Sequence, residues 1–331
     1  MMLYHHLTPA ERLVIDSMSR AGFSQKAIAN ALGRSRSTIS RELRRNRDTL
    51  SQQYCPHWAN LQYWKRREQV VNAHKTGNAS LTEYVVGKLE LRWSPEQIAG
   101  RLRHVEHPKD PAKWISHQTI YRYVARDRNQ GGKLYRYLRR GRKPFGKRGA
   151  GRHPNARIKG GVSIEQRPSV VNEQTRVGDW EGDTLFGAKR LSCLATLVER
   201  KTLYLVAHKM PNATAQALNE AVVEGLRNIN KALVHTLTVD NGKEFAGFKT
   251  LENALELAVF FSHPYSAWER AVNENTNGLL RQFLPKKTDL GVITPEQLDL
   301  VVDYLNNRPR KKLQYRTPNE VFQEAAVALA M

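Results

Sequence analysis

Residues 177–209 read VGDWEGDTLFGAKRLSCLATLVERKTLYLVAHK. Three runs within them, VGDWEGDTLF (177–186), SCLATLVE (192–199) and TLYLVAHK (202–209), are strand-like and separated by short polar or glycine-containing breaks. Working outward toward the C-terminus, the pattern changes to alternation. A helix of about 17 residues is predicted over 214–230, then the strand HTLTVD (235–240), a helix (243–257), the short strand AVFF (258–261) and a long helix (267–284). Three consecutive strands followed by alternating helices and strands predict a mixed α/β sheet flanked by helices. TPEQ (294–297) and TPNE (317–320) open two further capped helices.

Toward the N-terminus the reading becomes all-α. TPAE (8–11) places Thr at the N-cap, Pro at the first helical position and Glu three residues on, a capping box. Ser24 opens a second short helix that Gly33 ends, and Ser35 opens a third with Ile39 and Leu43 on its inner face. Two short helices about a glycine turn are the helix-turn-helix pattern. The third helix carries Arg36, Ser37, Ser40, Arg41, Arg44 and Arg45, and Ser37, Arg41 and Arg44 share one exposed row. Such a face suits a major groove, because hydroxyls and guanidinium groups read base edges and phosphates. SPEQ (94–97) and then SHQTIYRYVARDR (116–128), with Gln118 and Arg122 outward, predict a second unit of the same kind. Residues 136–159 hold ten Lys/Arg, four Gly and no acid, including Arg142 and Lys143. They predict a flexible basic linker that follows phosphates. The expected organisation is therefore 1–50 and 51–135 as DNA-binding helical domains, 136–169 as linker and 170–331 as a mixed α/β domain.

The charge agrees with that division. The 331 residues carry a net +22, yet residues 1–160 hold 33 Lys/Arg against 11 Asp/Glu, while the remainder balances at 20 against 20. An excess confined to one half implies a polyanionic partner, and double-stranded DNA is the expected one. No run of 18 apolar residues offers a membrane span, and no basic-then-apolar leader opens the chain. Two cysteines, Cys55 and Cys193, cannot build a disulfide framework, so a reducing cytoplasmic setting is expected.

Metal-assisted phosphodiester chemistry needs hard carboxylate ligands converging from separate elements. Asp183 on the first strand, Asp240 ending the strand HTLTVD and Glu274 in the helix ERAVNENTNGLLRQF are candidates, the last two 33 residues apart. Asp179, Glu181 and Asp183 alternate on one strand face, and the pattern by itself does not choose among them.

GDWEGDTL (178–185), TLTVDNGKEF (236–245), PYSAWERAVNENTNGLLRQFLPKKTDL (264–290) and YLNNRPRKKLQYRTP (304–318) resemble the IS30 family of bacterial insertion-sequence transposases, over nearly the whole chain. The resemblance implies an RNase H-like fold for the α/β part and DDE chemistry. It implies that Asp183, Asp240 and Glu274 are the catalytic, metal-binding acids. It implies Mg²⁺, replaceable by Mn²⁺, with two ions per site. The expected reactions are strand cleavage at inverted-repeat ends, which frees a 3′-OH, and strand transfer into target DNA, in DNA recombination and integration. A homodimer or larger assembly on DNA is expected, in the bacterial cytoplasm at the nucleoid. Where the family reads PWQRG, this chain has Ala267, Glu269 and Ala271 in place of Pro, Gln and Gly. His263, Tyr265, Trp268 and Arg270 are expected to position DNA, Tyr265 and Trp268 reading equally well as core aromatics, with Lys286, Lys287, Arg308, Arg310, Lys311 and Lys312 as phosphate contacts. A non-enzymatic helix-turn-helix transcription regulator would explain residues 1–130 equally well, but it leaves the three acids unexplained. A recombinase with a Ser or Tyr nucleophile lacks an arginine–histidine–tyrosine constellation here.

Overall fold

The computed structural model describes residues 5–47, 53–72, 78–139, 158–188, 192–264 and 266–329. Its compact units divide between Thr82 and Glu83. The N-terminal unit contains α1 (Pro9–Arg20), α2 (Gln25–Ala31), α3 (Arg36–Arg45) and α4 (Pro56–Asn72). Thr8 caps α1 with the full reciprocal box, and Ser24 and Ser35 cap α2 and α3. Ile15, Ile28 and Ile39, one from each helix, are essentially inaccessible and form the core with Ala59 of α4. Gly33 adopts φ +61° between α2 and α3, a conformation that glycine takes without a Cβ penalty. Arg12 is buried in this unit. It donates to Glu42 (2.7 Å), to Asn60 Oδ1 (2.8 Å) and to the Leu7 carbonyl (3.0 Å), and so ties α1 to α3 and α4.

The second unit carries a six-stranded sheet. In chain order the strands are β1 (Val162–Ser163), β2 (Asp179–Phe186), β3 (Cys193–Glu199), β4 (Leu205–Met210), β5 (Thr236–Val239) and β6 (Ala258–Phe261). Their spatial order is β1-β6-β5-β2-β3-β4. β2, β3 and β4 form an antiparallel meander, and β5 lies parallel to β2 on its other edge, followed by parallel β6 and β1. This is the RNase H-like arrangement, and it gives the expected mixed sheet. Helices cover both faces. On one, α9 (Ala215–Leu226), α10 (Phe248–Leu255) and Phe322 of α13 (Pro318–Ala328) pack against Trp180, Leu237 and Val239. On the other, α11 (Ala271–Leu280) and α12 (Pro295–Asn306) pack against Leu185, Leu194, Val198 and Leu205. Double coverage explains why all seven residues of β3 are buried.

The division of the chain differs from the expected boundaries at 50/51, 135/136 and 169/170. α4 belongs with the N-terminal helices. α5 (Ala79–Glu90), α6 (Pro95–Arg101) and α7 (His117–Asn129) fall, from Glu83 onward, in one unit with the sheet. The reason is polar: Arg101 forks onto Glu320 (2.8 and 2.6 Å), and Gln97 donates to the Pro309 carbonyl (2.8 Å). The expected linker also ends early. Residues 158–169 include β1, which pairs with Phe260 and Phe261 of β6, and a short α8 (Ser169–Glu173) follows. A two-residue edge strand held by backbone hydrogen bonds leaves little trace in composition. Arg142 and Lys143 lie outside the described residues.

Candidate active site and DNA-facing helices

The three acids of β2 share a face with Leu185, but their partners separate them. Asp179 accepts both arms of Arg176 (2.9 Å each) and the Thr236 hydroxyl (2.8 Å), and it is buried. Glu181 is buried against Arg200 (2.8 Å) and the Asn273 backbone N–H (2.8 Å). Asp183 is the acid of the three left partly open, at 29% side-chain exposure against 1–2% for the others. It lies near the end of β5, where Asp240 accepts the Gly242 N–H (2.8 Å) and closes the DNG turn.

One guanidinium holds the two acids. Arg270 Nη1 is 3.4 Å from Asp183 Oδ1 and Nη2 is 3.2 Å from Asp240 Oδ2, while Nη1 also donates to the Gly182 carbonyl (3.1 Å). Asp183 Oδ2 accepts from Asn277 Nδ2 (2.8 Å), and Oδ1 accepts from the Thr184 N–H (3.0 Å). Burial pushes the Asp183 carboxyl above the usual range, the Arg270 charge pulls it back, and Asp240 adds to the upward push. Glu244, four residues after Asp240, is raised by burial and then by the charges of Asp240 and Asp183.

Glu274 stands outside this group. It is exposed on α11, one residue after Asn273 and three before Asn277. Among the described residues, no three His, Cys, Asp or Glu side chains lie close enough to share a metal ion. The structure thus brings Asp183 and Asp240 together and leaves Glu274 on the neighbouring, solvent-facing row of α11. Asn273 fixes that row from behind: its amide donates to the Glu181 and Thr196 carbonyls (2.8 and 3.1 Å). Asn273, Asn277 and Glu244 escaped the sequence reading. The signal for the first two was present, because paired asparagines at i and i+4 inside a helix are costly unless they are bonded to something.

The remaining expected contacts divide by exposure. Arg36, Ser37, Ser40, Arg41, Arg44 and Arg45 all lie exposed on α3, and Gln118 and Arg122 are exposed on α7. Lys286 and Lys287 are exposed after α11, and Lys311 is exposed and paired with Glu96 (2.7 Å). Arg310 corrects the expectation. It is buried, donates to the Leu305 carbonyl (2.9 Å) and is pushed by burial down to about 10. Arg308 is buried too, between Gln97 and Gln282. Both brace the α12 terminus and offer no surface to a phosphate. Arg270 likewise faces inward, at 14% exposure. Trp268 is 73% exposed, so it is not a core aromatic, and Tyr265 lies outside the described residues. Glu269 pairs with His263 Nδ1 (2.8 Å), and the contact raises the imidazole above its ordinary value.

The chain thus joins a helix-turn-helix unit to an RNase H-like sheet flanked by helices, the build of a DNA-binding protein with a separate α/β domain. Residues 4–46 match the family model described as a helix-turn-helix domain. The chain is 38% identical to the transposase for insertion sequence element IS4351 of Bacteroides fragilis, covering 96% of both chains. It is 38% identical to transposase InsI of element IS30A of Escherichia coli, over 98% of this chain and 85% of that one. Among solved structures, the catalytic core domain of BIV integrase is similar at 19% identity and a TM-score of 0.37, covering 47% of this chain and all of that one. The chain belongs to the IS30 family of insertion-sequence transposases. No helix among the described residues is long and apolar enough to cross a membrane.

Proposed function

We propose that this transposase cuts the inverted-repeat ends of its own element and joins the freed 3′-OH to target DNA, with Asp183, Asp240 and Glu274 as the catalytic acids. The observation that carries the reading is the meeting of Asp183 and Asp240 from neighbouring strands, with Asp179 and Glu181 consumed by internal partners. The donor set fits a hard divalent cation: carboxylate oxygens only, gathered about one positive group whose Nε has no partner of its own. Asp183 and Asp240 would hold Mg²⁺ or Mn²⁺, with Glu274 completing the set from α11. When bound, such ions polarise the attacking oxygen and stabilise the leaving one.

The protein's own part is positional. Asn277 and the Thr184 N–H orient Asp183, and the Gly242 N–H orients Asp240. The exposed rows of α3 and α7 would bring the element ends to the protein, with Arg41 and Arg44 on phosphates or base edges. Two ends must be processed together, so a homodimer or larger assembly on DNA is part of the proposal, as is action at the bacterial nucleoid. An end-cleavage assay on inverted-repeat DNA with Mg²⁺ or Mn²⁺ tests it. Asp240→Ala is expected to abolish nicking while retaining DNA binding in a gel-shift. Full nicking activity in that variant would refute the site.

A further inference from the structure

We propose that Arg270 is a built-in counter-cation that occupies the Asp183–Asp240 gap and competes with divalent metal for it. Metal loading then requires the guanidinium to leave. The inference rests on the acid assignment above and adds a step to it.

Arg270 is the cation between the two acids, yet it is held poorly. Its contacts are single and long, 3.4 Å to Asp183 and 3.2 Å to Asp240. Charge-assisted N–H···O bonds settle near 2.7–2.9 Å and are strongest as two-armed forks. The protein builds such forks elsewhere, from Arg176 to Asp179 (2.9 and 2.9 Å) and from Arg101 to Glu320 (2.8 and 2.6 Å). Arg270 instead splits its arms between two carboxylates, and its Nε is buried with no acceptor. A buried donor left unbonded is a net cost to the folded state. The inward position is therefore held chiefly by the charges of the two acids. Asp183 and Asp240 would repel each other without a cation between them. A divalent ion at carboxylate-oxygen distance neutralises them more completely than a guanidinium, and the two cations cannot share the gap.

Arg270 also occupies a hinge position. It ends the 3₁₀ turn Ala267–Arg270 and is the N-cap residue of α11, with no side-chain cap bond. Among the described residues, the acid pair and the Gly182 carbonyl are what fasten the guanidinium, so a rotamer change frees it with the helix in place. A released guanidinium there would be well suited to a DNA phosphate, which it can meet with two parallel bonds.

Calorimetric titration of the full chain with Mn²⁺, in the absence of DNA, provides the test. Arg270→Gln is expected to bind Mn²⁺ at least about tenfold tighter than the wild type (about 1.4 kcal/mol). Its metal-free melting temperature is expected to fall and to be recovered by Mn²⁺. Adding Asp240→Asn to Arg270→Gln is expected to remove the gain. Equal Mn²⁺ affinity in wild type and Arg270→Gln, with loss on Asp240→Asn in both, overturns the competition while leaving the acid assignment intact. No effect of Asp240→Asn in either background overturns the acid assignment itself. Should Arg270→Gln fail to fold, wild-type crystals soaked in Mn²⁺ decide. Anomalous density between the acids with Arg270 turned away supports the proposal, and the ion beside an unmoved guanidinium overturns it.

Discussion

At the residue scale, the segment Asn273-Glu274-Asn275-Thr276-Asn277 assigns neighbouring side chains to opposite tasks. Asn273 is inaccessible and donates to two carbonyls from β2 and β3, while Glu274 is exposed. Asn273→Leu leaves those carbonyls without this donor in a buried site, and such losses cost about 1–3 kcal/mol each. Thermal or urea unfolding should register a loss of about 2–6 kcal/mol. Glu274→Gln touches no buried partner, so its unfolding should stay within about 0.5 kcal/mol of wild type. The same variant should lose end cleavage if Glu274 is the third acid. Stability and activity thus fail separately at adjacent positions, and a matching loss of stability in both variants would contradict the burial pattern. The acids themselves were legible as types and spacings. The alternation along β2 did not choose Asp183 over Asp179 and Glu181, because all three point the same way; the IS30 resemblance made that choice. Partners distant in sequence, Arg176, Thr236, Arg200 and Asn273, decide which acids are consumed.

At the scale of elements, helix starts were read most accurately. Thr8, Ser94, Thr294 and Thr317 each form the reciprocal capping box that their local sequence spells. α4 and β1 were not read: PHWANLQYWKRREQVVN has no clear apolar stripe, and β1 is two residues held by backbone pairing. The association of α6 with α13 was equally invisible, since it joins residues 219 apart through Arg101 and Glu320. That fork makes a pH prediction. The Arg101 bonds and charge pull the Glu320 carboxyl from 4.5 down to about 2. A carboxyl lowered in the folded state binds protons less readily there than in the unfolded chain. Its contribution is therefore complete above about pH 4.5 and is lost as pH falls toward 2. Glu320 is 38% exposed, so solvent screening limits the contribution to about 1 kcal/mol. Glu320→Gln should cost about that much at pH 7 and much less at pH 2.5 in urea titrations. An undiminished difference at pH 2.5 would show that the loss comes from packing and not from charge.

For the whole molecule, the charge asymmetry and the burial map together say which cations are free to meet DNA. All of the +22 excess lies in residues 1–160, but not every expected phosphate contact is on the surface. Arg41 and Arg44 are exposed on α3, whereas Arg310 is buried against the Leu305 carbonyl and Lys311 already pairs with Glu96. Each neutralised phosphate steepens the fall of log affinity with log salt by about 0.9. Arg41→Ala and Arg44→Ala in the full chain should therefore weaken binding to an inverted-repeat duplex and each reduce that slope by about 1. Arg310→Ala should leave the slope unchanged and lower the melting temperature instead, because it removes the shorter of the two hydrogen bonds to the Leu305 carbonyl and a buried side chain. Composition counts Arg41 and Arg310 alike, since both are arginines in basic surroundings. Folding distinguishes them, and a salt titration of the three variants reads that distinction directly: a slope reduced by Arg310→Ala, with its melting temperature unchanged, would place that guanidinium on DNA and contradict the burial found here.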